Sequence, residues 1–195
     1  MLHSAVADVR LLCIMYKENL IKHIMQLRNL EYVDQRVAQK FLDFINGNQN
    51  YFRDNNPDRH ICSFFLPYDE KRKLIYLGHH KKAKDWIPPG GHINQGENPL
   101  NTVYREFQEE LNHQLTDEKV QLFNLSIKDI SGNPLHKCKT HYDFWYLVRL
   151  KKKNFKFDRN EFYQAKWLTI PQALRKMKLL QYANIIKKLQ KIYFS

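Results

Sequence analysis

A chain of 195 residues with 43% apolar content is long enough to bury one sizeable core. No apolar run approaches the roughly 20 residues that span a bilayer, and Asp8 and Arg10 interrupt the apolar N-terminus in a way that a secretory signal does not favour. The net charge of +12 is uneven: from Lys151 to Ser195 there are 12 lysines and arginines against Asp158 and Glu161, a net +10, and the preceding residues carry about +2. Such a basic third can steer an anionic nucleotide or hold RNA phosphates, but its simplest reading is a solvated helix face. Few aromatics interleave with the lysines after Leu179, so a nucleic-acid platform is not favoured. Cys13, Cys62 and Cys138 are odd in number, widely spaced and without a CxxC pair. They read as buried free thiols, and a cytoplasmic protein is the expectation.

In chain order, the first fifty or so residues read as helical. Between Glu31 and Asn46, Val33, Val37, Phe41, Phe44 and Ile45 fall at helical spacing and Gly47 follows as a stop. The turn-rich run from Gly47 to Pro57 closes this unit, giving a helical segment over 1–56 and a second unit over 57–195. His60–Pro67 and Lys73–His80 read as strands around a turn at Tyr68–Lys71. Val120–Ile130 and Thr140–Leu150 read as two longer strands joined through the turn cluster Ser131-Gly132-Asn133-Pro134, and Lys166–Ile170 as a short one. Pro171 opens a C-terminal helix with Ala173, Leu174, Met177, Leu180, Ile185, Ile186 and Leu189 as its apolar positions. This alternation predicts an α/β fold with a mixed sheet between helices.

The most informative stretch runs from Gly90 to Glu110. Asn98-Pro99 is a helix start, because Asn caps well and Pro suits the first helical position. In the helix that follows, Glu106, Glu109 and Glu110 lie at i, i+3 and i+4, so their carboxylates share one face. Val103, Phe107 and Leu111 form another face that packs on a core. Clustered carboxylates repel unless a cation sits among them, and an all-oxygen set suits Mg²⁺ or Mn²⁺ rather than zinc. Gly90-Gly91 lets the backbone pass close to such an ion. An acidic solvated face would explain the Glu-Glu pair alone, but not the paired glycines, Glu97, the Arg105-Glu106 pair and the Asn-Pro cap in register.

These residues resemble the signature of the Nudix hydrolases, Gly-x5-Glu-x7-Arg-Glu-apolar-x-Glu-Glu-x-Gly-apolar. Gly91, Glu97, Arg105, Glu106, Phe107, Glu109 and Glu110 match it, whereas the last two positions are Asn112 and His113. Asn is the next-best residue for a left-handed helix exit, so the departure preserves the turn and touches no carboxylate. The resemblance implies an α/β/α sandwich and hydrolysis of a nucleoside diphosphate linked to another group, by water attack on a P–O–P bridge. It implies Glu106, Glu109 and Glu110 as Mg²⁺ or Mn²⁺ ligands with the Gly90 carbonyl, Glu106 as first choice for the base, and Arg105 orienting the carboxylates with Glu97 beside it. Glu97 and Glu161 stand as further metal candidates, the latter because a loop Glu precedes a Trp-containing strand in MutT-like enzymes, as Glu161 precedes Trp167 here.

His92 is a candidate phosphate contact or a solvated loop residue, and Trp86 a cover for the core beneath the loop. Trp145 is a candidate for stacking a base, although aromatics in strands more often fill a core. The leading helices resemble an extension seen in some bacterial Nudix proteins. They are candidates for covering the core, shaping the pocket or forming a homodimer. Two readings stand beside the small-molecule pyrophosphohydrolase: a nucleotide sensor on the same fold, and an RNA 5′-end processing enzyme.

Overall fold

The computed structural model describes residues 2–48, 50–131 and 138–194, with side chains of the first helix from Cys13 onward. The N-terminal helices are α1 (Leu2–Arg28) and α2 (Gln35–Gly47). Helix α2 starts later than the apolar spacing suggests. The Asp34 carboxylate accepts from the Arg36 and Val37 N–H groups at 2.8 and 3.4 Å, so it is the cap, and Val33 is buried in the turn before it. Ala38, Phe41, Leu42, Phe44 and Ile45 form the buried stripe of α2.

The remaining elements are β1 (Arg59–Asp69), β2 (Leu74–His80), β3 (Asp85–Ile87), β4 (Gly90–His92), α3 (Pro99–Leu111), β5 (Lys119–Asp129), β6 (Thr140–Arg149), β7 (Phe162–Thr169), α4 (Ile170–Lys176) and α5 (Leu180–Tyr193). The strands form one mixed sheet with the path β3-β2-β1-β6-β5, with β4 pairing on β1 and β7 on β2. Strands β1 and β6 run parallel, while β2 and β4 meet β1 antiparallel. Strand β1 is central, and every residue from His60 to Asp69 is buried. A strand covered on both faces reads as a continuous apolar run rather than an alternating one.

Side chains on the two faces of the sheet build two cores. On one face Ile61 and Phe65 of β1 meet Phe107 and Leu111 of α3, Phe41 and Ile45 of α2, and Leu20 and Ile24 of α1. On the other, Phe64 and Leu66 of β1 and Trp145 of β6 meet Tyr182, Ile186 and Leu189 of α5. The result is an α/β/α sandwich in which the N-terminal helices share their core with the signature helix. Among the described residues no helix is long and apolar enough to cross a membrane.

Several elements depart from the sequence reading for identifiable reasons. Strands β3 and β4 are three residues each and carry Pro or Gly neighbours, so pairing with β2 and β1 creates them rather than propensity. Strand β7 begins at Phe162, four residues before the expected start. The C-terminal helix is two helices, because the Asp85 carboxylate accepts from the Lys178 N–H at 2.9 Å and the Leu179 N–H at 3.0 Å and turns the chain between them. Cys62 and Cys138 are buried, but Cys13 is exposed on α1 rather than buried. Of the turn cluster 131–134, Ser131 donates from its N–H and hydroxyl to Asp129, and 132–134 lie outside the described residues.

Candidate active site

The site begins where β4 joins β1. Gly90 pairs with Phe64 and Gly91 with Ser63, which lays the glycine pair against the centre of the sheet. Gly90 has φ +138°, and a Cβ there would collide with the Ser63 carbonyl and the Phe64 backbone. At Gly91 a Cβ would overlap the Glu106 carboxylate. The glycines are required by close approach, not by loop freedom alone.

Helix α3 starts as its cap predicts. The Asn98 side chain accepts from the Asn101 N–H at 2.8 Å, with Pro99 at the first helical position. It ends at Asn112, whose φ of 47° and ψ of 46° place it in the left-handed region. His113, at the signature's apolar position, instead packs its ring on Phe107 and Phe155 and lies within hydrogen-bond reach of Lys153 and Glu118.

All five N–H donors of Arg105 are engaged. Nε and Nη2 grip Glu97 side-on at 3.0 Å each, and Nη2 also donates to the His92 carbonyl at 2.9 Å. Nη1 donates to Glu106 at 2.8 Å and Glu109 at 2.9 Å. The Glu97 carboxylate further accepts from the Asn94 N–H and the Thr102 hydroxyl. Burial opposes its charge, but these donors outweigh burial and hold Glu97 below the usual carboxylate range. Held by these donors, Glu97 anchors Arg105.

Glu106 and Glu110 face the opposite problem. Glu110 is 3% exposed and accepts from the Gly90 N–H at 2.7 Å. Burial, then the charges of Glu106 and Glu161, push its carboxyl well above the ordinary range. Burial pushes Glu106 up to about 7 despite the pull of Arg105. Glu109, by contrast, has a side chain 56% exposed at the rim.

Glu161 joins this cluster from a distant loop. The Asp158 N–H donates to the Glu110 carbonyl at 2.7 Å and the Lys81 N–H donates to the Glu161 carbonyl at 2.8 Å, which docks the loop on the end of α3 and of β2. The Glu161 carboxyl then shares a hydrogen bond with Glu110 and pairs with His80 at 3.4 Å. The His80 hydrogen bond lowers the Glu161 pKa against burial. His80 was not apparent from sequence; its one signal is its place at the end of a strand.

His92 is not a solvated loop residue. It lies on β4, its ring 4.9 Å from His60 and 5.1 Å from His141, and burial lowers its pKa to about 3. Trp145 cannot stack a base: it is fully buried against Phe64 and Tyr182, and its indole N–H donates to Ser126 at 2.8 Å. Both faces of β6 are covered, so an aromatic there fills the core. Trp86 is 7% exposed and lies on β3 with His79 stacked against it.

The model of the NUDIX domain matches residues 58–189. The chain belongs to the NUDIX family. Over 171 residues it is 27% identical to a protein of Lactococcus lactis subsp. cremoris named "Probable DHNTP pyrophosphohydrolase", a match spanning 86% of this chain and 99% of that one. Its fold is similar to that of the E. coli dihydroneopterin triphosphate pyrophosphohydrolase, with a TM-score of 0.62 at 17% identity over 74% of this chain and 97% of that one. It is also similar to the MutT protein from Methanosarcina mazei, with a TM-score of 0.56 at 16% identity over 69% and 94%.

The two signature glycines separate stability from chemistry. Gly91→Ala presses on the far end of a flexible Glu106 side chain and should leave stability within about 1 kcal/mol of wild type while turnover falls about tenfold or more. Gly90→Ala forces an unfavourable backbone against the β1 main chain and should cost about 2 kcal/mol or more. Urea unfolding and steady-state rates of the two variants check this contrast.

Proposed function

We propose that this Nudix hydrolase is a divalent-metal-dependent pyrophosphohydrolase that cleaves a P–O–P bridge in a triphosphate carrying a heteroaromatic head group. What carries this reading is the buried Glu110 and the half-buried Glu106, with Glu161 against them, held by Arg105 beside a glycine loop. The Lactococcus relative, matched across nearly its whole length, makes dihydroneopterin triphosphate the first substrate to test. The fold likeness to the E. coli enzyme named for the same activity is compatible with that choice. The division of the chain into a helical extension over 1–56 and a catalytic unit over 57–195 is part of the same proposal.

The residues fit a hard cation. Three carboxylates meet where burial and mutual repulsion lift Glu106 and Glu110 towards the neutral form, a cost that a bound cation removes. Glu106, Glu109, Glu110 and Glu161, with the Gly90 carbonyl, would hold Mg²⁺ or Mn²⁺. A bound ion supplies neutralisation of charge on the transferring and leaving phosphates. The chain's own work is then positional. Arg105 fixes the Glu106 carboxylate, Glu97 fixes Arg105, and Glu106 takes the proton of the attacking water, with the exposed Glu109 as the alternative base. A nucleotide sensor without turnover is the second reading, but it gives no reason for Glu106, Glu109 and Arg105 to be joined as they are.

Two outcomes test the proposal. Glu106→Gln is a near-isostere that removes the charge, so it should lower turnover of dihydroneopterin triphosphate by at least about 100-fold with the fold intact. Wild-type activity should require Mg²⁺ or Mn²⁺ and vanish with chelator. Full activity of Glu106→Gln, or activity in excess chelator, would remove the assignment.

The second outcome concerns pH. Glu106 titrates at about 7 when folded, above its unfolded value, so the metal-free protein loses stability as pH rises from the carboxylate range through 7. A cation offsets that loss where the carboxylates are ionised. The rise in unfolding midpoint on adding Mg²⁺ should therefore be larger at pH 8 than at pH 6. An equal or smaller rise at pH 8 would count against a site built on these carboxylates.

A further inference from the structure

Three imidazoles and a thiol converge beside the carboxylate cluster, and strand pairing puts them there. His60 and Cys62 are two residues apart on β1, so their side chains leave the same face. His141 is the register partner of His60 on β6, and His92 is the register partner of Cys62 on β4. The three rings stand 4.9 to 5.1 Å apart, and one ligand atom from each of the four residues lies within 4.8 Å of the others. His60 is 0% exposed and Cys62 1%.

His60 is set up as a ligand. Its Nδ1 lies 2.9 Å from the Asn56 carbonyl, so that nitrogen carries the proton and Nε2 holds the lone pair. Nε2 is buried and has no hydrogen-bond partner. A buried polar atom left in that state costs about 1–3 kcal/mol. The hydrogen bond to Asn56 is the kind of outer contact that orients a metal-ligating imidazole.

We propose that His60, Cys62, His92 and His141 bind a zinc ion, at a site separate from the carboxylates. Imidazole and thiolate donors suit zinc and do not suit magnesium. Four tetrahedral ligands at 2.0–2.3 Å from an ion stand roughly 3.3–3.8 Å from one another, so small side-chain rotations close the present spacing. His92 must give up one of two contacts, Arg53 Nη1 at 3.4 Å from its Nδ1 or Cys138 Sγ at 3.8 Å from its Nε2. Binding converts the Cys62 thiol to a thiolate and releases one proton to solvent. The ion ties β4 to β1 and β6. Because the His92 carbonyl accepts from Arg105, the tie holds the end of the strand from which the signature loop departs.

The test uses the full chain, purified without a histidine tag. Mass spectrometry of metals should find about one zinc per chain after dialysis. After stripping and titration with Co²⁺, the spectrum should show intense tetrahedral visible bands and a sulfur-to-cobalt charge-transfer band. Cys62→Ser should abolish the charge-transfer band, and Cys62→Ser and His60→Gln should each weaken zinc by more than the roughly 10- to 100-fold that loss of an outer contact costs. Glu106→Gln should leave zinc stoichiometry and the cobalt spectrum unchanged, which keeps this result independent of the catalytic reading. Should Cys62→Ser fail to fold, His60→Gln and His141→Gln carry the comparison. No retained zinc with only weak octahedral cobalt bands would overturn the proposal. So would loss of the zinc in Glu106→Gln, since the ion would then belong to the carboxylates.

Discussion

One guanidinium holds the signature loop and helix in a single geometry. Arg105 reaches back to Glu97 in the loop and the His92 carbonyl on β4, and sideways to Glu106 and Glu109 on its own helix. A guanidinium offers five donors in a fixed plane, and here each has an acceptor. Because two of those acceptors belong to other elements, the side chain of Glu106 is placed by the loop as much as by the helix. The glycine pair follows from this, since Gly91 leaves room for the Glu106 carboxylate where any Cβ would intrude.

Around that hub the protein holds charge under tension. Glu97 is stabilised as an anion by four donors, while the buried Glu110 and the half-buried Glu106 are crowded until their ordinary ionisation is resisted. The sheet supplies the rigidity that keeps them there. Phe107 and Leu111 seat α3 on a core shared with α1 and α2, and Glu110 is tied back to Gly90. The carboxylates are thus held close together, where protonation, or a bound cation as proposed above, relieves their repulsion. The leading helices contribute by covering the face on which α3 sits, and Tyr16 of α1 donates to the Glu97 carbonyl at 3.1 Å.

The parts legible in the sequence are those encoded over short spans. The cap at Asn98, the shared face of Glu106, Glu109 and Glu110, and the left-handed Asn112 depend on neighbours within a few turns, so spacing exposes them. The parts that escaped depend on pairing across the chain. Nothing local marks Gly90-Gly91-His92 as a strand, because β1 makes it one. Trp145 sits in a strand covered on both faces, where alternation carries no information about which side chain meets solvent. The break between α4 and α5 is imposed by Asp85, more than ninety residues earlier. Glu161 was visible as a carboxylate ahead of a Trp strand, but its meeting with Glu110 needed the Asp158 contact to α3. The His60, His92 and His141 cluster was invisible for the same reason, as three strands assemble it.

Arg105→Lys is the measurement that bears most directly on this account. Lysine keeps the positive charge but lacks the planar fork, so it cannot hold Glu97, Glu106, Glu109 and the His92 carbonyl together. Arg105→Lys should remain folded by circular dichroism while its Mg²⁺-dependent turnover falls at least about 100-fold. Wild-type turnover from Arg105→Lys would show that positive charge alone suffices, and would contradict the claim that this one side chain sets the geometry of the site.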